Sequence, residues 1–383
     1  MEEASTDKAL TEDADEVVGL ARRLIAIPSV SGDADGQRAV QRTVAEYATE
    51  RHPAVREDGD LGAERPWTLL STGDARAGTL LFVCHADTVP AGDPGAWSTD
   101  PFRAVVDGGR LTGRGAVDMK CGLAAATSAL VLAAERGAAV AVLMTSDEEA
   151  GALGAAGAAA ALADRDVGAV IVPEATDGVI HVGHRGALWL DVEARGRAAH
   201  GSTPGRGENA ILGLARVLER ARHELPLSSD PDLGEETWNV GTVAGGTAPN
   251  IVPAHASATI DMRTAGAGEA QVRWWRAQPE LASVRTLLSL PALRTDRTHP
   301  WIRSLPASVA PAGVPYFTDA SVLRAHLPGV PVVVWGPGAP AQMHAVDEAM
   351  DLGSLRAMCG RYRRAVLDRL PESRGGSACG GSA

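Results

Sequence analysis

Apolar and polar positions follow two different periods along this chain, and the period changes from segment to segment. From Asp15 to Ile27, Val17, Val18, Leu20, Ala21, Leu24 and Ile25 recur at helical spacing, and Pro28 stops the run. A turn from Ser29 to Gly36 leads into a second helix reaching about Arg51. Trp67–Leu70 and Thr79–Cys84 alternate with turns, the pattern of buried strands. Asp118–Arg136 is a helical stretch rich in small residues, which allow close packing on a sheet. Ala139–Thr145 is another buried strand, an alanine-rich helix follows Gly151, and Gly168–Val172 is a strand again. Strands alternating with helices predict an α/β fold with a largely parallel sheet covered on both faces.

The texture changes near Val182. Ala187–Ala194, Thr237–Val243, Ala256–Met262 and Ser283–Leu288 read as strands, with helices at Asn209–Arg222 and Glu269–Ala277. The order β-α-β-β-α-β is ferredoxin-like and predicts an α+β module inserted into the first domain. From about Pro300 the α/β texture returns, with a strand at Val330–Trp335 and a helix from about Leu352 to Leu370. The expected organisation is a catalytic domain over 1–182 and 296–372, an inserted lid or dimerisation domain over 183–295, and a flexible tail over 373–383. Residues 1–13 are polar, charged and aperiodic, and disorder is expected there.

Composition narrows the function. The 383 residues suit two domains. With 45% hydrophobic but only 4% aromatic residues, the core must be mostly Ala, Val and Leu. A net charge of −12 argues against a nucleic-acid or anionic-membrane partner. No uninterrupted apolar run reaches the ~18–20 residues of a membrane span, and the acidic N-terminus does not read as a signal peptide. Cys84, Cys121, Cys359 and Cys379 make no disulfide framework and read as free thiols in a reducing cytoplasm.

Five polar features end strands or follow them: His85 with Asp87, Asp118 in a glycine-rich turn, Glu148-Glu149, Glu174, and His344. An Asp in such a turn is by default a turn former, and paired glutamates by default favour a helix start. All five fall at strand-to-helix junctions of one sheet, however, where side chains can converge. Two histidines and three carboxylates can hold two Zn²⁺, one carboxylate bridging. A further carboxylate must stay off the metals to move protons, and a Glu-Glu pair can divide those tasks.

These stretches resemble the M20 metallopeptidase family, in its acetylornithine deacetylase / succinyl-diaminopimelate desuccinylase branch. The matching segments are HADTVP (85–90), WSTDPF (97–102), GRGAVDMK (113–120), SDEEAG (146–151), RAAHGSTP (197–204), GGTAPNIVP (245–253), DMR (261–263), TDAS (318–321) and GPG…MHAVDE (336–348). The resemblance implies a zinc-peptidase-like catalytic domain with a ferredoxin-like lid. It implies that His85 and Glu174 bind one metal, Glu149 and His344 the other, and that Asp118 bridges them through a turn whose Asp118-Met119 peptide is cis. Asp87 would orient His85, and Glu148 would be the general base and acid. His200 would reach the partner subunit's site in a homodimer built by the lid, to hold the oxyanion. Asn250, Arg263 and Arg185 would contact substrate, with Arg263 gripping a carboxylate. Tyr316-Phe317 stands where many relatives carry glycine, which implies a reshaped pocket. The implied activity is metal-dependent deacylation of a small N-acyl amino acid, with Zn²⁺, or else Co²⁺ or Mn²⁺. A dipeptidase or carboxypeptidase is the alternative, and a non-catalytic metal- or ligand-binding relative is the alternative of another class.

Overall fold

Burial on both faces places the central strands. Thr79–His85 and Val140–Thr145 are buried at every position. Side chains along a strand alternate in direction, so Leu80, Phe82 and Cys84 enter one core while Leu81 and Val83 enter another. In the computed structural model, which describes residues 15–62, 64–76 and 78–369, six strands form this sheet. Their order is Val55–Leu61, Arg65–Thr72, Val140–Thr145, Thr79–His85, Val167–Val172 and Val332–Val334. The last four run parallel, and the first two add an antiparallel edge. The expectations for residues 1–13, for the tail 373–383 and for Cys379 lie outside the described residues.

The helices of residues 15–25, Ala34–Arg51, Cys121–Arg136 and Leu352–Leu367 contribute to the first core. Small side chains let Cys121–Arg136 approach its neighbours: a Cβ at Gly122 would stand 2.2 Å from the Pro173 carbonyl oxygen. Three of the aromatics pack in the same core, with Tyr362 edge-on to Phe82 at 5.0 Å and to Trp335 at 5.3 Å.

Several boundaries differ from those expected. The helix expected from Asp118 begins at Cys121. Asp118 and Met119 leave helical geometry and are joined by a cis peptide bond, while the Glu348 carboxylate takes the backbone N–H groups of Gly115, Val117 and Asp118. The alanine-rich segment after Gly151 forms only the turns Ala155–Ala158 and Ala159–Leu162. Gly151 there has φ +112°, and Gly154 packs against the Ser146 carbonyl too closely for a side chain. Val55–Leu61 is a strand without an apolar signature, exposed along most of its length, and its pairing with Arg65–Thr72 defines it. The last helix stops at Leu367 rather than Leu370. By length and hydropathy Ala116–Arg136 does match a membrane span, against expectation, but it is interrupted by the Asp118 turn and 94% of its most apolar window is buried inside the fold.

The second sheet is antiparallel, in the order Thr237–Gly245, His255–Thr264, Gly186–Arg195, Leu281–Leu290. With helices Ala210–Glu224 and Glu269–Arg276 it follows the β-α-β-β-α-β order. Its own core includes Leu190, Val192, Ile260 and the fully buried Trp275. Ala187 and Leu290 instead join the second core of the six-stranded sheet, so the two sheets are packed together at that end.

Candidate active site

Three neighbouring parallel strands deliver their chemistry at one edge. His85 is the last residue of its strand, Glu148 and Glu149 follow Val140–Thr145, and Glu174 follows Val167–Val172. Asp118 comes from the non-helical turn before Cys121, and His344 from the loop after Val332–Val334.

Asp118 stands between the two histidines. Its Oδ1 lies 3.0 Å from His85 Nε2, and its Oδ2 lies 3.2 Å from His344 Nε2. Glu174 Oε1 is 3.3 Å from the same His85 nitrogen, and Glu149 approaches the same His344 nitrogen at 3.0 Å. Ligand atoms of His85, Asp118 and Glu149 all lie within 4.8 Å of one another. Glu148 is buried and lines the same cavity of about 140 Å³, as does Arg263.

The electrostatics show too many acids for two imidazoles. Burial, then the charge of Asp118, pushes Glu174 up to about 8. Burial raises Glu148 well above the usual carboxylate range and also raises Glu149. For Asp118 burial acts upward, but hydrogen bonds from His344 and His85 outweigh it and hold the carboxyl below the ordinary aspartate value. The Asp118 and Glu149 contacts lift His344 to about 10. Burial opposes protonation of His85, yet Glu174, Asp118 and Asp87 overcome it and raise that ring well above 6.5. Glu174 Oε2 is buried without a hydrogen-bond partner. An imidazole-and-carboxylate donor set with surplus negative charge and an orphaned oxygen fits divalent cations.

Supporting residues fix these side chains. His85 Nδ1 lies 3.0 Å from the Asp87 backbone oxygen, closer than the 3.5 Å to its carboxylate. That carboxylate instead accepts the backbone N–H groups of Glu148 and Glu149 and the Ser31 hydroxyl. Asp87 therefore steadies the Glu-Glu pair as well as the ring. Asp147 accepts from Gly32 N and Gln37 Nε2, both at 2.8 Å. Asp347 accepts from the backbone and hydroxyl of Ser98, which pins the His344 loop. Glu348 accepts from Arg114 at 2.7 Å in addition to the Asp118 turn. Asp147, Asp347 and Glu348 fall within the matching sequence segments, which imply no role for them. Their signal in the sequence is proximity to a candidate ligand. Lys120 is fully buried and donates to the Ile27 carbonyl at 2.7 Å.

Three of the expected site residues, the oxyanion holder His200 and the substrate contacts Asn250 and Arg185, lie outside the cavity of this chain. His200 is exposed and bonded to Ser202, and Asn250 is exposed in the adjoining loop. Arg185 stands near Arg263 but donates to the Glu235 carbonyl.

The sequence pattern of peptidase family M20/M25/M40 matches residues 81–368. A succinyl-diaminopimelate desuccinylase from Rhodospirillum centenum is 30% identical over 388 aligned positions, covering 92% of this chain and 96% of that protein. An M20 metallo-carboxypeptidase from Sulfolobus solfataricus superposes with a TM-score of 0.76 at 17% identity, over 92% of this chain and 98% of that one. A dinuclear metal-binding M20 peptidase from Bacillus subtilis does so with a TM-score of 0.65 at 15% identity, over 94% and 99%. At those identities the structural likeness is one of fold, whereas the sequence match spans the site itself. The chain therefore belongs to peptidase family M20/M25/M40 and is a metal-dependent amide hydrolase of that family.

Proposed function

We propose that this protein is an amidohydrolase that removes the acyl group from a small N-acyl amino acid, using two divalent cations. The observation that carries the reading is Asp118, whose two carboxylate oxygens face different histidines at 3.0 and 3.2 Å. His85 and Glu174 would hold one ion, His344 and Glu149 the other, with Asp118 shared. Nitrogen and carboxylate donors suit Zn²⁺ first, with Co²⁺ or Mn²⁺ as substitutes. Bound there, the pair supplies Lewis acidity and acidifies water.

The chain's own residues then have distinct tasks. Glu148, buried in the cavity, takes the proton of the attacking water and returns it to the amide nitrogen as the C–N bond breaks. The products are a carboxylate and a free amine. Asp87 keeps Glu148 aimed by holding its backbone. Arg263, with Nη1 buried and unpaired, supplies a donor for a substrate carboxylate. His200 and Asn250 would act on the site of a second copy, and Arg185 would set the charge around Arg263. The support for a homodimer is that His200 and Asn250 are exposed together, near the exposed edge strand Thr237–Gly245. The buried free thiols Cys84 and Cys121 favour a cytoplasmic setting.

The test is Glu148→Gln. Metal content by mass spectrometry should stay at the wild-type level while kcat falls by about 10²–10⁴. A folded, metal-loaded variant with near wild-type turnover refutes the assignment.

A further inference from the structure

Beyond the carboxylates and His344, the cavity is lined by Val89, Trp189, Tyr316, Phe317, Met343 and Arg263. Tyr316 spends its hydroxyl proton on the Ala175 carbonyl at 2.8 Å, so its ring is what the cavity can use. The other aromatics form a closed circuit with Arg263. Its guanidinium lies 5.2 Å from the centre of the Phe317 ring. Phe317 meets Trp189 edge-on at 6.4 Å, and Trp189 Nε1 donates to Asp261 at 2.8 Å. Asp261 in turn accepts from Arg263 Nε at 3.3 Å. The circuit holds Arg263 in place and leaves its buried Nη1 without a partner. Among the described residues, the wall brings one forked cation, held through its Nε by Asp261, and the residues lining the cavity include no acid beyond the cluster itself.

We infer that this wall is a specificity subsite for a single carboxylate set beside an apolar group, aromatic above all, and that it selects against substrates with a second ammonium–carboxylate end. The inference rests on the deacylase reading above and names its substrate class. A flat apolar group displaces water from the Tyr316, Phe317 and Met343 surfaces, while its carboxylate satisfies Arg263. A diaminopimelate substrate would bring a second zwitterionic end against the same wall, where its polar groups lose water without gaining partners.

The experiment measures kcat/KM of the zinc-loaded full chain on N-acetylphenylalanine, N-acetylalanine, N-acetylornithine and N-succinyl-diaminopimelate. The phenylalanine substrate should exceed each of the other three by about tenfold or more. Hydrolysis in which N-succinyl-diaminopimelate or N-acetylornithine is equal or better overturns the subsite and leaves the deacylase reading standing. No hydrolysis of any amide overturns both. Phe317→Leu should lower the phenylalanine-to-alanine ratio about tenfold, and an unchanged ratio in a folded variant removes Phe317 from the wall. The wild-type ratios decide the question even if that variant does not fold.

Discussion

Glu348 lies four residues beyond His344 and accepts hydrogen bonds from Arg114, Gly115, Val117 and Asp118. One buried carboxylate thus ties the loop of one metal-ligand candidate to the turn of another. Glu348→Ala leaves Arg114 buried without its partner and should cost about 3–5 kcal/mol in urea unfolding. The weakened tie should also lower metal affinity in a chelator competition, with Glu348→Gln intermediate because an amide oxygen restores part of the acceptance. Wild-type affinity in Glu348→Ala would sink the tethering role. His85, Asp118, Glu149, Glu174 and His344 were legible in the sequence because polar groups at the ends of apolar runs are conspicuous. Glu348 was not, since a glutamate in a loop carries no mark of burial. Its buried state depends on Arg114, 234 positions away.

The strands and helices themselves were largely legible where burial imposes a period. Thr79–His85, Val140–Thr145 and the long helices lie within a few residues of where the pattern puts them. Several short elements were not, and two cases show why. Val55–Leu61 has no apolar period because its neighbour supplies the strand geometry. The alanine-rich segment after Gly151 has the propensity for a helix, but tight glycine contacts divide it into short turns. The same competition sets a prediction for Cys121–Arg136. Gly122→Ala gains roughly 1 kcal/mol of helix propensity. It also places a methyl 2.2 Å from the Pro173 carbonyl, where neither backbone can retreat freely. The clash should win, with a net loss of about 1–3 kcal/mol on urea unfolding and weaker metal binding through the neighbouring Glu174. A stabilised variant would show that the helix can withdraw from that strand.

Across the whole molecule, protons and cations compete for one cluster. In the metal-free protein Glu174 titrates at about 8 rather than 4.5, and burial lifts Asp319 from 3.8 to about 7. Both therefore bind protons in the folded state that the unfolded chain has released. Their contribution is complete below about pH 4 and is lost as pH rises through 7 and 8. His85 and His344, whose rings are also raised, act in the same direction. Burial lowers His184 to about 4 and Lys120 to about 7, which act in the opposite sense. The raised groups outnumber them, so the melting temperature of chelated protein should fall from pH 5 to pH 8. Adding Zn²⁺ should raise it most at the upper end, because metal replaces those protons. A chelated protein whose melting temperature holds or rises over that interval would contradict this.

The amino-acid order alone was enough to specify an α/β sheet, a β-α-β-β-α-β insertion and the ligand candidates, because hydrophobic periodicity and residue chemistry are local properties. Tertiary structure decided which of those candidates meet, drawing Asp118 between His85 and His344 and leaving His200, Asn250 and Arg185 outside the cavity. It also decided that Trp189, Phe317 and Arg263 form one wall. Such contacts join residues from 33 positions apart, as His85 and Asp118 are, to well over a hundred, as Trp189 and Phe317 are, and no periodicity along a chain encodes which distant neighbour a side chain will find.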